Sequence, residues 1–140
     1  MPHDKSQVDL SDLQDVAAKA DQSPFAQLTG VTISRAEPGL VVARMTVADK
    51  HVNMFQATHG GALFTVADHA CSVVGNSLGR QAVMTHCYMT FIKNPRVGQT
   101  ITAEAKIIHA GKRFGQAEII VRDPDGNTLA TLQAGAAFLD

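Results

Sequence analysis

The residues able to do chemistry concentrate in one stretch, His59-Gly60-Gly61-Ala62-Leu63-Phe64-Thr65-Val66-Ala67-Asp68-His69-Ala70. From Ala62 to Val74 apolar side chains fall on nearly every face, so a helix here is wrapped by protein rather than half exposed. An acid in such a helix is conspicuous. Asp68 lies one turn from both Thr65 and Ser72, and the three make a narrow polar stripe that must face something polar or something reactive. A buried acid satisfied by a neighbouring serine or by backbone is the plainer alternative. Gly60 and Gly61 stand at the first turn, where backbone N–H groups lack helical partners and the dipole adds partial positive charge. An oxygen gaining negative charge would be stabilised there. Two glycines also let a helix and a sheet pack closely, and both readings stand at this point.

The rest of the chain reads as what positions this helix. Ser11 to Ala20 is amphipathic, with Leu13, Val16, Ala17 and Ala20 on one face, and Ser23-Pro24 starts a second helix that Gly30 stops. Residues 8–30 thus form a helical cover. Val31 to Glu37 and Leu40 to Val47 make a hairpin through Pro38-Gly39, and Asp49 to His59 delivers the chain to the central helix. Gly79 is the expected helix stop. Arg80 to Lys93 then reads as a long strand with Val83, Thr85, Cys87, Met89 and Phe91 on one face and Ala82, Met84, His86, Tyr88, Thr90 and Ile92 on the other. Neither face is properly polar, so the strand needs covering twice, by its own helix and by another layer or subunit. Taking the Val83 face as the inner one places the Thr85 hydroxyl in a buried position that requires a partner. Pro95 and Gly98 end the strand. Thr100 to Ala110, Phe114 to Asp123 and Thr128 to Phe138 follow with clean alternation, joined by turns at Gly111-Lys112-Arg113 and Pro124-Asp125-Gly126-Asn127. The fold class is α+β: one domain over residues 1–140, an antiparallel sheet of about six strands wrapped around one long central helix.

Composition narrows the function classes. The 140 residues suffice for a core without disulfides or metal, and a formal charge of −1 with no block of like charges argues against a nucleic-acid partner. No apolar run reaches the roughly 18 residues of a membrane span, and Asp4, Asp9 and Asp12 do not fit a signal peptide, so no membrane partner and a cytoplasmic location are expected. Cys71 and Cys87 read as packed thiols of a reducing compartment. The histidines lack His-Glu-x-x-His spacing, no cysteine pair has zinc spacing, and Gly-x-Ser-x-Gly is absent, so neither a metal nor a serine nucleophile is expected.

Asn53, then His59-Gly60-Gly61 six residues on, Ala67-Asp68 on a buried helix, and a strand ending Phe91-Ile92-Lys93-Asn94-Pro95 before Val97-Gly98 together resemble the hotdog-fold acyl-CoA thioesterases, in the branch named for phenylacetic acid degradation (PaaI-like). The resemblance spans about Phe25 to Phe138. It departs at Gln56, where the family usually has glycine.

The resemblance implies acyl-CoA hydrolysis with no cofactor beyond the substrate, in a homodimer paired again into a homotetramer. It makes Asp68 the base or nucleophile, with Asn53 and Thr85 holding the attacking water and His59 shaping the loop. Gly60 and Gly61 then polarise the carbonyl, and Met54, Phe55 and Leu63 are candidates to meet an aromatic or medium-chain acyl group. Lys93, Arg96, Lys112 and Arg113 are candidates for the CoA phosphates, against an ordinary role as solvated turn residues. His69, turned about 100 degrees from Asp68 around the helix, reads as a satisfied interior or interface histidine. Two other classes remain in view: a hotdog enoyl-CoA hydratase or dehydratase, whose usual motifs are missing, and a non-catalytic acyl-CoA binding or sensing module, which would have no need of the acid.

Overall fold

The computed structural model describes residues 7–139. Asp12 caps helix α1 (Leu13–Gln22) by accepting from the Gln14 and Asp15 amides, and Ser23 caps α2 (Pro24–Thr29), which Gly30 ends in the left-handed region at φ 84°. Strands β1 (Thr32–Glu37) and β2 (Leu40–Thr46) form the expected hairpin, turning at Gly39. A 3₁₀ turn (Asp49–His51) leads through a loop to α3 (Gly60–Gly75), followed by β3 (Ala82–Phe91), β4 (Thr100–Ala110), β5 (Phe114–Arg122) and β6 (Thr128–Phe138).

All six strands join one antiparallel sheet in the order β1-β2-β4-β5-β6-β3. The sheet wraps α3. Val66, Ala67, Ala70 and Val74 of the helix are fully buried, as are Val41, Ala43, Ile101, Ala105, Ile119 and Leu132 on the strands. Alanines on both sides let the helix sit close, and each large aliphatic side chain removed from water contributes about 1.5–3 kcal/mol. The α1 face lands as its spacing predicts, with Val16 and Ala17 buried.

Two expectations are corrected. The helix stops at Gly75 rather than at Gly79, because the Asn76 side chain donates to the Ser72 carbonyl (2.7 Å) and accepts from the Ala82 amide (2.9 Å), tying the helix end to the start of β3. Gly79 serves the turn that follows, at φ 80°. In β3 strict alternation fails: a register shift falls between Met84, paired with Ala136, and His86, paired with Gly135. Thr85 is the extra residue of a β-bulge. Met84 before the bulge and Met89 after it both pack on the core, an odd spacing that only the bulge permits. Val83 is therefore not on the inner face with Met89, and Thr85 and the Cys87 thiol are exposed rather than buried.

Candidate active site

Asp68 projects from the middle of α3, half-buried, and no hydrogen bond or ion pair reaches its carboxylate among the described residues. It faces a cavity of about 290 Å³ between the helix and the sheet, walled by Cys71 and Ser72 on its own helix and by Met84, Ile107, Ala134 and Phe138 opposite. Burial pushes its carboxyl above the usual range, with the charge of His69 acting weakly the other way. Its expected neighbours do not neutralise it. Thr65 turns its hydroxyl back to the Gly61 carbonyl (2.8 Å), and His69 points away to Asp21 through Nε2 (2.8 Å). Burial, then the charges of Asp68 and Cys87, push the Cys71 thiol up to about 12, so at neutral pH it is no thiolate nucleophile. Asp68 and Cys71 share this cavity with the His109 imidazole.

The helix N-terminus is built by His59. Its Nδ1 accepts from the Gly61 N–H at 2.8 Å and its carbonyl accepts from Ala62 N at 2.9 Å. Of the two candidate polarising donors, Gly61 is therefore already occupied, and the Gly60 N–H is the one left without a partner. Gly60 opens on a second cavity, about 330 Å³, with Asn53, Thr58, Leu63, Phe91 and Lys93 around it. A side chain at Gly60 would meet the Phe91 ring at 3.4 Å.

Asn53 shapes the loop before this cavity: its Oδ1 accepts from Phe55 N (2.9 Å) and Ala57 N (3.2 Å), which leaves Nδ2 for a ligand. Gln56, at the place of the family's glycine, sits at φ 61°. The loop thus keeps a conformation that glycine adopts without strain. Met54 and Phe55 are 86% and 77% exposed and line neither cavity, whereas Leu63 lines the second.

The basic residues divide between opposite ends of the sheet. Lys93 and Arg96 follow β3 at the end holding the helix N-terminus, and Lys93 Nζ lies 4.0 Å from Asp123. Lys112 and Arg113 occupy the β4–β5 turn at the other end, where the Arg80 guanidinium binds the Gly111 and Lys112 carbonyls and covers the Phe138 ring at 3.8 Å. The ten residues of β3 alone extend roughly 33 Å, so one bound nucleotide cannot meet both pairs within a chain. Gly60 and Asp68 are likewise separated by about 12 Å along the axis, at 1.5 Å per residue. Among the described residues no group of three His, Cys, Asp or Glu is placed to hold a metal ion.

The thioesterase superfamily profile matches residues 55–130. The acyl-coenzyme A thioesterase PaaI of Escherichia coli K12 is 33% identical over 117 residues, covering 84% of each chain. The chain belongs to the thioesterase superfamily. This thioesterase is also 29% identical over 125 residues to the proofreading thioesterase EntH of Klebsiella pneumoniae, covering 87% of this chain and 90% of that one. Its backbone superposes on the solved E. coli PaaI protein of the phenylacetic acid degradation operon with a TM-score of 0.87 at 29% identity, over 96% and 97% of the two chains. The sheet wrapped on α3 is accordingly the hotdog fold, and the protein is a thioester hydrolase. What the sequence reading missed lies at the bulge: Thr85 bonds to His86 Nδ1 (2.9 Å) and the Gly135 carbonyl (3.2 Å), and His86 stacks on Phe114. Strict alternation assigns Thr85 and His86 to opposite faces and hides that contact.

Proposed function

We propose that this thioesterase hydrolyses acyl-CoA thioesters carrying aromatic or medium-chain acyl groups, with Asp68 as general base or nucleophile and the Gly60 N–H as the donor to the carbonyl oxygen. The observation that carries the reading is the unpartnered, half-buried Asp68 carboxylate facing a largely apolar cavity. An acid held there without a structural bond is costly unless it has work to do. In the reaction the carbonyl carbon gains an oxygen, from water deprotonated by Asp68 or from Asp68 itself with later hydrolysis. The C–S bond breaks, and CoA leaves as the thiol. Thr85 and the free Nδ2 of Asn53 hold the water in this reading, and no cofactor takes part.

The site belongs to two chains. The attacking oxygen must come within about 3.5 Å of the carbonyl carbon and the oxyanion donor within about 3 Å of the carbonyl oxygen, which the separation of Gly60 from Asp68 along one helix does not allow. Strand β3 supplies the means to join a second copy, since it is a ten-residue sheet edge with Tyr88 72% exposed. Antiparallel pairing of β3 with its copy sets the helix N-terminus of one chain toward the other end of its partner. It also brings the Lys93 and Arg96 end of one chain against the Lys112 and Arg113 end of the next, so that both basic pairs serve one CoA. Pairs of dimers then form tetramers, and the unbonded thiols Cys71 and Cys87 suit a cytoplasmic setting.

The direct test is Asp68→Asn. The amide keeps the shape and acyl-CoA binding but neither accepts the proton nor attacks, and loss of a general base is worth on the order of 10² to 10⁴ in rate. A folded, dimeric variant that binds acyl-CoA and retains more than about a tenth of the wild-type turnover overturns the assignment.

A further inference from the structure

The bulge in β3 carries an arrangement that the site described so far does not use. Thr85 Oγ1 donates its one proton to the Gly135 carbonyl at 3.2 Å, so the 2.9 Å bond to His86 must run from imidazole Nδ1–H to the threonine oxygen. That fixes the histidine tautomer and the direction of the hydroxyl together, and it leaves Thr85 one open lone pair. The ring is itself held. It lies against β6 over Gly135, where an added Cβ would stand 2.3 Å from His86 Cε1 and 2.9 Å from Phe114 Cζ. It also stacks on Phe114, with centroids 5.9 Å apart and planes 8° from parallel, and both rings stand over Gly135. Only glycine at 135 leaves space for this stack.

We infer that His86 is a positioning residue of the thioesterase site, held by its stack on Phe114 in the space that Gly135 leaves open, so that its Nδ1–H holds the Thr85 hydroxyl with an acceptor lone pair turned toward the attacking water. The inference rests on the role given to Thr85 above and adds its polarity: Thr85 accepts a hydrogen bond from the water and does not donate one to it. The bulge is what makes this possible, because it places two successive side chains against a single opposing residue.

Four variants assayed by thiol release from hexanoyl-CoA, with melting temperature and oligomeric size recorded for each, test it. His86→Ala should lower kcat about fivefold, the worth of one oriented hydrogen bond, and leave KM within about twofold, since the ring itself binds no substrate. His86→Asn, whose side-chain amide can place an N–H near the position of Nδ1–H, should restore most of the rate. Thr85→Val should be impaired, and adding His86→Ala to it should cost nothing more. If Thr85→Val is impaired but His86→Ala is silent, or if the two losses multiply in full, the inference falls and the reading of Thr85 survives. If Thr85→Val alone is silent, the role of Thr85 falls and takes the inference with it, while Asp68→Asn continues to test the acid. Should His86→Ala fail to fold, His86→Leu against His86→Asn makes the same comparison of donor removed with donor kept.

Discussion

Gly60→Pro removes the proposed carbonyl donor and almost nothing else. The Gly60 N–H is the only atom that the reading assigns to carbonyl polarisation, and it has no partner for proline to break. Gly60 is the first helical residue, where proline is well tolerated, and the preceding His59 already has φ −66° and ψ 138°, the conformation proline demands of its predecessor. A Cβ at this position has the Phe91 side chain as its nearest neighbour, at 3.4 Å, an ordinary contact. Folding should therefore survive, while loss of one oxyanion donor is worth on the order of 10² to 10³ in kcat. The variant also tests where the site lies. Gly60 and Asp68 of one helix stand about 12 Å apart along the axis, so the reading requires each site to take one residue from each chain. Co-expression of Gly60→Pro and Asp68→Asn chains with different tags yields mixed dimers with one site intact and the other doubly defective. Such a dimer should recover about half the wild-type turnover, although each parent dimer is nearly inactive. Thiol release by the doubly purified species is the assay. A Gly60→Pro protein that keeps more than a tenth of its activity refutes the donor, and mixed dimers no faster than their parents refute the shared site.

Asp68 makes a paired claim about pH. Burial raises its carboxyl in the folded state above its unfolded value, so the group favours folding least once pH has risen through that folded value. Asp68→Asn should then melt no lower than wild type at neutral pH, and wild-type kcat/KM should rise with pH through a midpoint above the ordinary carboxylate range; a midpoint near 4, the ordinary value, contradicts the assignment. Gln56→Gly should raise stability by about 1 kcal/mol, because a left-handed conformation costs a non-glycine residue roughly that much; a lower melting temperature shows that Gln56 makes a compensating contact. The exposed β3 edge predicts a dimer in sedimentation at micromolar protein and a shift toward monomer in Tyr88→Lys, since a lysine there discourages edge pairing. A stable wild-type monomer at that concentration rules the assembly out.

What the sequence determined by itself is what depends on neighbours along the chain. The wrapped helix with its single acid, the Pro38-Gly39 hairpin, the Ser23 cap with its Gly30 stop, and the alternation of β4 and β5 all follow from spacing over a few residues, and the structure places each as read. The loop-shaping role of His59 came from the family resemblance and not from spacing; in the structure its Nδ1 accepts from the Gly61 amide at the helix start. Only the tertiary structure decided the rest, because those features depend on which distant groups meet. Asn76 ends the helix ahead of Gly79 because Ala82 returns to bond with it. The β3 bulge depends on its register against β6, and one extra residue moves Thr85 out of the buried row and beside His86. The same holds at the site: His59 takes the Gly61 amide and leaves the Gly60 N–H without a partner, and strand direction sends the two basic turns to opposite ends of the sheet. Periodicity reports which way a side chain faces, but a hydrogen bond between groups distant in the chain exists only once the fold has brought them together.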